Sequence, residues 1–367
     1  MADNETPAVP TSPAPEAPRP VSPPPAPPAW WACGPPKKRS AVGRVVRYLF
    51  VLLLIGSILV NVELAILCFA GATHGMSESV LQDGAADQVV AVFGITGMID
   101  GESVGEFWRF YEQVRDDENI KAVVIRVNSP GGGVSASDQI YQKVKAIRDE
   151  LKKPVVVSMG GVAASGGYYV SAPAETIYAE PTTITGSIGV IMAWPVMKGF
   201  LDKHGVEVVT IRSPQAQRWK AAENYWELPD TETKQHMREL LQEMHAKFEQ
   251  IVVAGRGKRL KTEKVKVDVQ DTNGATTTIE QTAPLNGRVY LAEKAKALGL
   301  IDEIGYLVDA ATAAAEGAGL TKPKIVQFAR TQTLRERLGF SDATPAINLR
   351  GVEELLTPRV MLLWKGD

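Results

Sequence analysis

Residues 122–169 read AVVIRVNSPGGGVSASDQIYQKVKAIRDELKKPVVVSMGGVAASGGYY, and the fold turns on this stretch. Residues 122–127 are apolar and β-branched, as a buried strand requires. Asn128-Ser129-Pro130-Gly131-Gly132-Gly133 then reads as a sharp turn. Ile140, Val144, Ile147 and Leu151 recur at three-to-four spacing, so a helix follows, with Ser135 or Ser137 placed to cap it. Residues 154–159 (PVVVSM) form a second strand, which runs into a second glycine-rich segment, residues 160–169. Strand, glycine turn, helix and strand make the repeating unit of an α/β fold with parallel strands.

The same alternation extends outward. Residues 88–95 read as a strand, and Phe107, Phe110 and Val114 mark a helix. Residues 206–211 (VEVVTI) read as a further strand, and Met237, Leu240, Leu241, Met244 and Phe248 as a core-facing helix stripe. Within 261–284, the runs 265–269 and 276–279 flank Asp271-Thr272-Asn273-Gly274, which predicts an inserted β-hairpin. A helix over 292–298 stops at Gly299. Beyond Lys322 few apolar positions are periodic, so residues 321–367 read as a C-terminal extension, a flexible arm or a partner-binding segment.

The chain has 367 residues, 40 Lys and Arg against 42 Asp and Glu, 45% apolar residues and 22% charged. That balance fits a globular protein and excludes a whole-chain basic footprint for nucleic acid. Cys33 and Cys68 form no metal or disulfide pattern, and four scattered histidines make no multi-His metal site. Residues 1–36 are rich in proline and read as a disordered tether. Lys37, Lys38, Arg39, Arg44 and Arg47 precede an apolar run from Tyr48 to about Ala72. About 20 helical residues cross a bilayer core, so residues 37–75 read as a basic flank and single-pass plasma-membrane anchor. The basic side predicts a cytoplasmic N-terminus and an extracytoplasmic domain over 76–320. Asn61 and Glu63 fall inside the run, and a carboxylate at the bilayer centre costs about 3 kcal/mol. A cleaved signal peptide fits a long run behind a 36-residue arm less well, and bulky Ile66 and Leu67 argue against a lipoprotein cysteine at Cys68.

Two segments carry the chemistry. Around Gly131–Gly133, exposed backbone N–H groups suit an oxyanion, while a plain strand–helix turn explains the glycines equally well. No Gly-Lys-Ser/Thr follows, which disfavours a nucleotide loop. In the second segment Ser165 stands among small residues and the N–H of Gly166 is placed for an oxyanion, while close helix–sheet packing also accounts for the composition. A serine nucleophile needs a base. His74, His204, His236 and His245 lack an accompanying Asp motif. Lysine serves as base when burial brings its pKa to roughly 7–8. Lys220, after Trp219 and before Ala221-Ala222, is better placed than most lysines.

Taken in order, residues 128–134, 163–169, Thr185-Gly186-Ser187-Ile188-Gly189-Val190 and 286–290 resemble the short-form bacterial signal peptide peptidase A group of the S49 serine peptidase family, over about residues 88–320. The resemblance implies a ClpP/crotonase-like fold. It implies Ser165 as nucleophile, Lys220 as base, Gly132 and Gly166 as oxyanion donors, and Ser187 as the hydroxyl that orients the lysine. It implies no metal or organic cofactor. Its substrates would be signal-peptide remnants in the membrane, and its assembly a homo-oligomeric ring with Ser and Lys from neighbouring protomers. The family's Ser-Gly-x-x-Lys pattern is replaced here by Ser213-Pro214-Gln215-Ala216-Gln217-Arg218-Trp219-Lys220. Lys203 and Lys234 fit the spacing worse, and Arg218 does not lose its proton. The hairpin at 261–284 is a second departure. The altered loop leaves an inactive scaffold of the same fold as an alternative, and a crotonase-like acyl-CoA enzyme as a weaker one, since CoA chemistry and an exported domain fit poorly.

Overall fold

The computed structural model describes residues 41–70, 76–222, 224–270, 275–331 and 359–363. The proline-rich arm and the turn at 271–274 lie outside these. Two units divide the chain, one ending at Ile66 and one beginning at Leu67.

The first unit contains most of α1 (Ala41–Ala70). Its segment Val42–Ala65 is long and apolar enough to cross a membrane. The Asn61 side chain donates to the Ser57 carbonyl at 2.7 Å, so this polar group is satisfied within its own helix.

In the second unit the elements run β1 (Met76–Gln82), β2 (Val89–Ile99), α2 (Gly101–Asp116), β3 (Ile120–Gly133), α3 (Val134–Asp149), β4 (Val155–Ala164) and α4 (Gly166–Ser171). Then come β5 (Thr176–Ala179), β6 (Ile184–Gly186), β7 (Ile191–Ala193), α5 (Lys198–Lys203) and α6 (Thr231–Arg256). The chain continues through β8 (Glu263–Gln270), β9 (Thr276–Ala283), β10 (Val289–Leu291), α7 (Ala292–Ala297), β11 (Glu303–Ile304), α8 (Leu307–Gly317), β12 (Lys324–Arg330) and β13 (Arg359–Leu363).

The main sheet has the order β1-β12-β2-β3-β4-β5-β11, parallel from β12 through β11. Alternate residues of the central strands enter opposite cores. Phe93, Ile125 and Val157 meet Phe107, Phe110, Ile140, Val144 and Phe248 on one face. Val92, Val124 and Val156 meet Ala310, Ala311, Ala314 and Ala315 of α8 on the other. Strands covered on both faces lose the alternating polar pattern, which is why they read as continuous apolar runs. Asp100 caps α2 by accepting from the N–H groups of Glu102 and Ser103. The inserted hairpin forms as predicted, with β8 and β9 antiparallel from Glu263↔Ala283 to Gln270↔Thr276.

Four local readings are corrected. Residues 128–133 are not a turn but the extended end of β3, paired with Met98 and Ile99 of β2. A Cβ at Gly132 would stand 2.0 Å from the Ile99 carbonyl oxygen, so the glycine serves close strand approach. Gly133, not Ser135 or Ser137, occupies the capping position of α3, and no side chain caps it. Residues 206–211 are not a strand. Among the described residues they have no sheet edge to pair with, and Val209 and Ile211 are 76% and 91% exposed. Residues 324–330 are not a loose extension but β12, a strand between β1 and β2. Its apolar run is short and sandwiched by two neighbours, so no periodicity marks it in the sequence.

Candidate active site

β3 and β4 pair side by side as far as Ser129↔Ala163. There they part. β3 keeps β2 as its neighbour, while β6 pairs with the other edge of β4 through Val162↔Ile184 and Ala164↔Gly186. The pairing ends at the carboxyl ends of parallel strands, where ligands bind in such sheets.

Ser165 stands between β4 and α4, two residues past the last β3–β4 pair. Its φ is +53° and ψ −114°, an unusual conformation for a residue with a Cβ. Flanking bonds hold it there. The Ser165 N–H donates to the Gly186 carbonyl at 2.8 Å, and its own carbonyl accepts from the Tyr169 N–H at 2.8 Å. The Thr185 hydroxyl fixes the preceding strand by donating to the Ala163 carbonyl at 2.6 Å. Tyr169 ties α4 to α3 by donating to Asp138 at 2.8 Å. Burial and that bond to a carboxylate push the Tyr169 hydroxyl well above its usual pKa, so it remains a donor. The Ser165 side chain is buried, and its Oγ has no hydrogen-bond partner.

The glycine strand lies directly opposite. A Cβ on Gly166 would stand 3.0 Å from the Gly132 nitrogen and 3.1 Å from the Gly131 Cα. Ser165, Gly166 and Gly132 are thus brought together. The Ser129 hydroxyl accepts from the Gly131 N–H at 3.0 Å and shapes this end of β3. Ser187 follows Gly186, has φ +52°, and donates its N–H to the Arg288 carbonyl at 2.8 Å. It borders a 660 Å³ cavity shared with Ile191, Arg238, His245 and Asn286.

Lys220 is not brought to this group. It is exposed, and since Ser165 Oγ has no partner, the lysine does not reach it within the protomer. Its turn is nonetheless well held. Arg212 donates to the carbonyls of Lys220 at 2.6 Å and Ala221 at 3.2 Å, and Arg218 pairs with Asp230 and Glu232.

Two features had no signal in the sequence. Ser137, buried inside α3, has an unpartnered hydroxyl 2.6 Å from where a Gly166 Cβ would lie. Residues of β13 lie antiparallel along the glycine strand, with Met361↔Gly133, Leu362↔Gly132 and Leu363↔Gly131.

Comparison with known proteins gives the family. The model of peptidase family S49 matches residues 147–321, and that of the Clp protease family matches residues 110–183. An Enterococcus faecium protein bearing the signal peptide peptidase SppA name is 29% identical, over 71% of this chain and 73% of its own length. A Synechocystis sp. protein named as a protease is 32% identical, over 57% of this chain and 68% of its own. Protease 4 of Salmonella typhi is 37% identical over 57% of this chain but only 30% of its own length. These matches mark a serine peptidase with a ClpP-like fold. The chain belongs to peptidase family S49.

Proposed function

We propose that this protein is a membrane-anchored endopeptidase that cleaves extended apolar peptides, remnant signal peptides among them, with a Ser165/Lys220 dyad. The observation that carries the reading is the paired segment at the glycine strand. An extended chain is seated antiparallel on Gly131–Gly133, beside a serine whose hydroxyl is unpartnered. A crevice that hydrogen-bonds an extended backbone suits a peptide, not an acyl-CoA.

In the proposed reaction the neutral amine of Lys220 takes the Ser165 proton as Oγ bonds to the scissile carbonyl carbon. The N–H groups of Gly132 and Gly166 hold the oxyanion, each worth about 3 kcal/mol of barrier. The lysine ammonium then protonates the leaving amine as the C–N bond breaks. Water, deprotonated by the lysine, releases the acyl group. Ser187 orients the lysine. Within one protomer Ser165 Oγ has no hydrogen-bond partner, and this supports supply of the base by a neighbour in a ring. The exposed apolar side chains near Lys220, Val209, Ile211 and Leu228, support a protomer contact there. The helix at Val42–Ala65 supports a single membrane anchor, with the basic N-terminal flank cytoplasmic and the peptidase outside.

The test is covalent labelling of the detergent-solubilised full chain by a serine-directed probe, read by intact mass from pH 6 to 10. Labelling is expected to rise with pH and to vanish in Ser165→Ala and Lys220→Ala. A folded, oligomeric wild type that takes up no probe, or a Lys220→Ala variant labelled like wild type, overturns the dyad.

A further inference from the structure

Ser137 lies near the start of α3. It is fully buried, and its Oγ has no hydrogen-bond partner among the described residues. A buried hydroxyl without a partner costs stability. A serine inside a helix can bond back to the carbonyl four residues earlier. Ser171 does so in α4, donating to the Gly167 carbonyl at 2.7 Å. The buried hydroxyls of Thr183 and Thr185 are bonded as well, to the carbonyls of Gly160 and Ala163, each at 2.6 Å. Ser137 makes no such bond. Its helix does not require it either, since alanine is the better helix former.

The Ser137 hydroxyl instead faces Gly166. It lies 2.6 Å from where a Gly166 Cβ would stand, and that point is 3.0 Å from the Gly132 nitrogen. A Cβ is about 1.5 Å from its Cα, so Oγ lies within about 4 Å of the Gly166 Cα, which is contact distance. The hydroxyl thus sits where the two glycines meet. Alanine stops one atom short of this contact, and threonine and valine branch. Serine is the smallest side chain that reaches it.

We propose that Ser137 is a positioning residue: its hydroxyl backs Gly166 and sets the spacing of the Gly166 and Gly132 N–H groups. This rests on the peptidase reading above. Oxyanion donors serve the oxygen of the tetrahedral state, not that of the resting carbonyl. A fault in their spacing therefore slows the chemical step and leaves the binding of an unreacted ligand alone. Because the hydroxyl is unpartnered, its removal should slow the reaction without weakening the fold.

The experiment compares detergent-solubilised full chains of wild type, Ser137→Ala, Gly166→Ala and the double variant. The probe is an alkyl fluorophosphonate. Ser165 Oγ bonds to phosphorus as the P–F bond breaks, fluoride departs, the serine proton passes to the base, and the phosphoryl oxygen takes the oxyanion position. In Ser137→Ala the limiting labelling rate is expected to fall about tenfold, while the probe concentration giving half that rate stays within about twofold. Its melting temperature should equal or exceed that of wild type. A lower melting temperature, or an unchanged limiting rate, overturns the proposal and makes Ser137 a packing residue. Gly166→Ala disturbs the same spacing. If it slows labelling about 100-fold, the double variant should lose about 100-fold too, not the product of about 1000-fold. Losses that multiply in full show that Ser137 does not act through Gly166, and overturn the proposal. Failure of the peptidase reading looks different: wild type then takes up no probe, or Ser165→Ala takes it up equally, and the proposal falls with that reading.

Discussion

The position proposed for the nucleophile depends on atoms that are absent. Gly166 and Gly132 approach so closely that a methyl group at either has no room, but the two positions fail differently. A Cβ on Gly166 meets the Ser137 hydroxyl at 2.6 Å and the Gly132 nitrogen at 3.0 Å, atoms that belong to the site. Gly166→Ala should keep the fold and displace the oxyanion donors, lowering kcat about 100-fold, as expected for a displacement of about 1 Å. Steady-state kinetics beside a far-UV circular dichroism spectrum checks this. A Cβ on Gly132 meets the Ile99 backbone at 2.0 Å, inside the sheet. Gly132→Ala should therefore prise β2 from β3 and lower the melting temperature as well as the rate, as thermal unfolding would show.

At the scale of elements, α6 is fastened to the region after α7 by a buried charge cluster. Arg256, fully buried, donates to Asp302 at 2.7 and 3.0 Å and to the Gly299 carbonyl at 2.8 Å, and Arg259 joins at 3.0 Å. Burial works against the Asp302 carboxylate, but the bonds and charge of Arg256 outweigh it and hold its pKa below the usual range. A group with a lowered folded pKa stabilises fully above its unfolded value of about 4 and loses that contribution as pH falls through the folded value. Asp302→Asn should cost about 3 kcal/mol at pH 7, the low end for breaking a buried pair, since Asp302 retains some solvent contact. Below about pH 4 the gap to wild type should narrow, which urea unfolding at pH 7 and pH 3 would reveal.

For the whole molecule, the missing hydrogen bond between Lys220 and Ser165 and the exposed apolar residues near Lys220 both fit the proposed ring. Ile211 is almost fully solvent-exposed in the protomer. Ile211→Glu should shift the detergent-solubilised chain to smaller assemblies by light scattering and abolish probe labelling together. Mixing Ser165→Ala with Lys220→Ala subunits should restore part of the labelling, because some interfaces then pair an intact serine with an intact lysine. Restoration failing in confirmed mixed assemblies would place the dyad within one chain.

Much was legible in the sequence because it is governed by local rules. The central strands showed as β-branched runs, α2, α3 and α6 as three-to-four stripes, the β8–β9 hairpin as an Asn-Gly turn between alternating runs, and α1 as a long, mainly apolar segment. Ser165, Gly132 and Gly166 stood out as one hydroxyl and bare backbone in glycine-rich stretches, and the tertiary structure brought those stretches together. What the sequence did not disclose depends on partners far along the chain. Residues 206–211 have strand chemistry but no edge to pair with, whereas residues 324–330 and 359–363 pair with strands more than 160 residues away. The chain by itself determined its α/β pattern, its apolar N-terminal helix and a serine set among small residues, since periodicity, length and side-chain chemistry are local properties. Only the tertiary structure decided that β3 and β4 part near Ser165 and that residues 359–363 pair along the glycine strand, because sheet order and strand pairing are set by contacts no local pattern encodes.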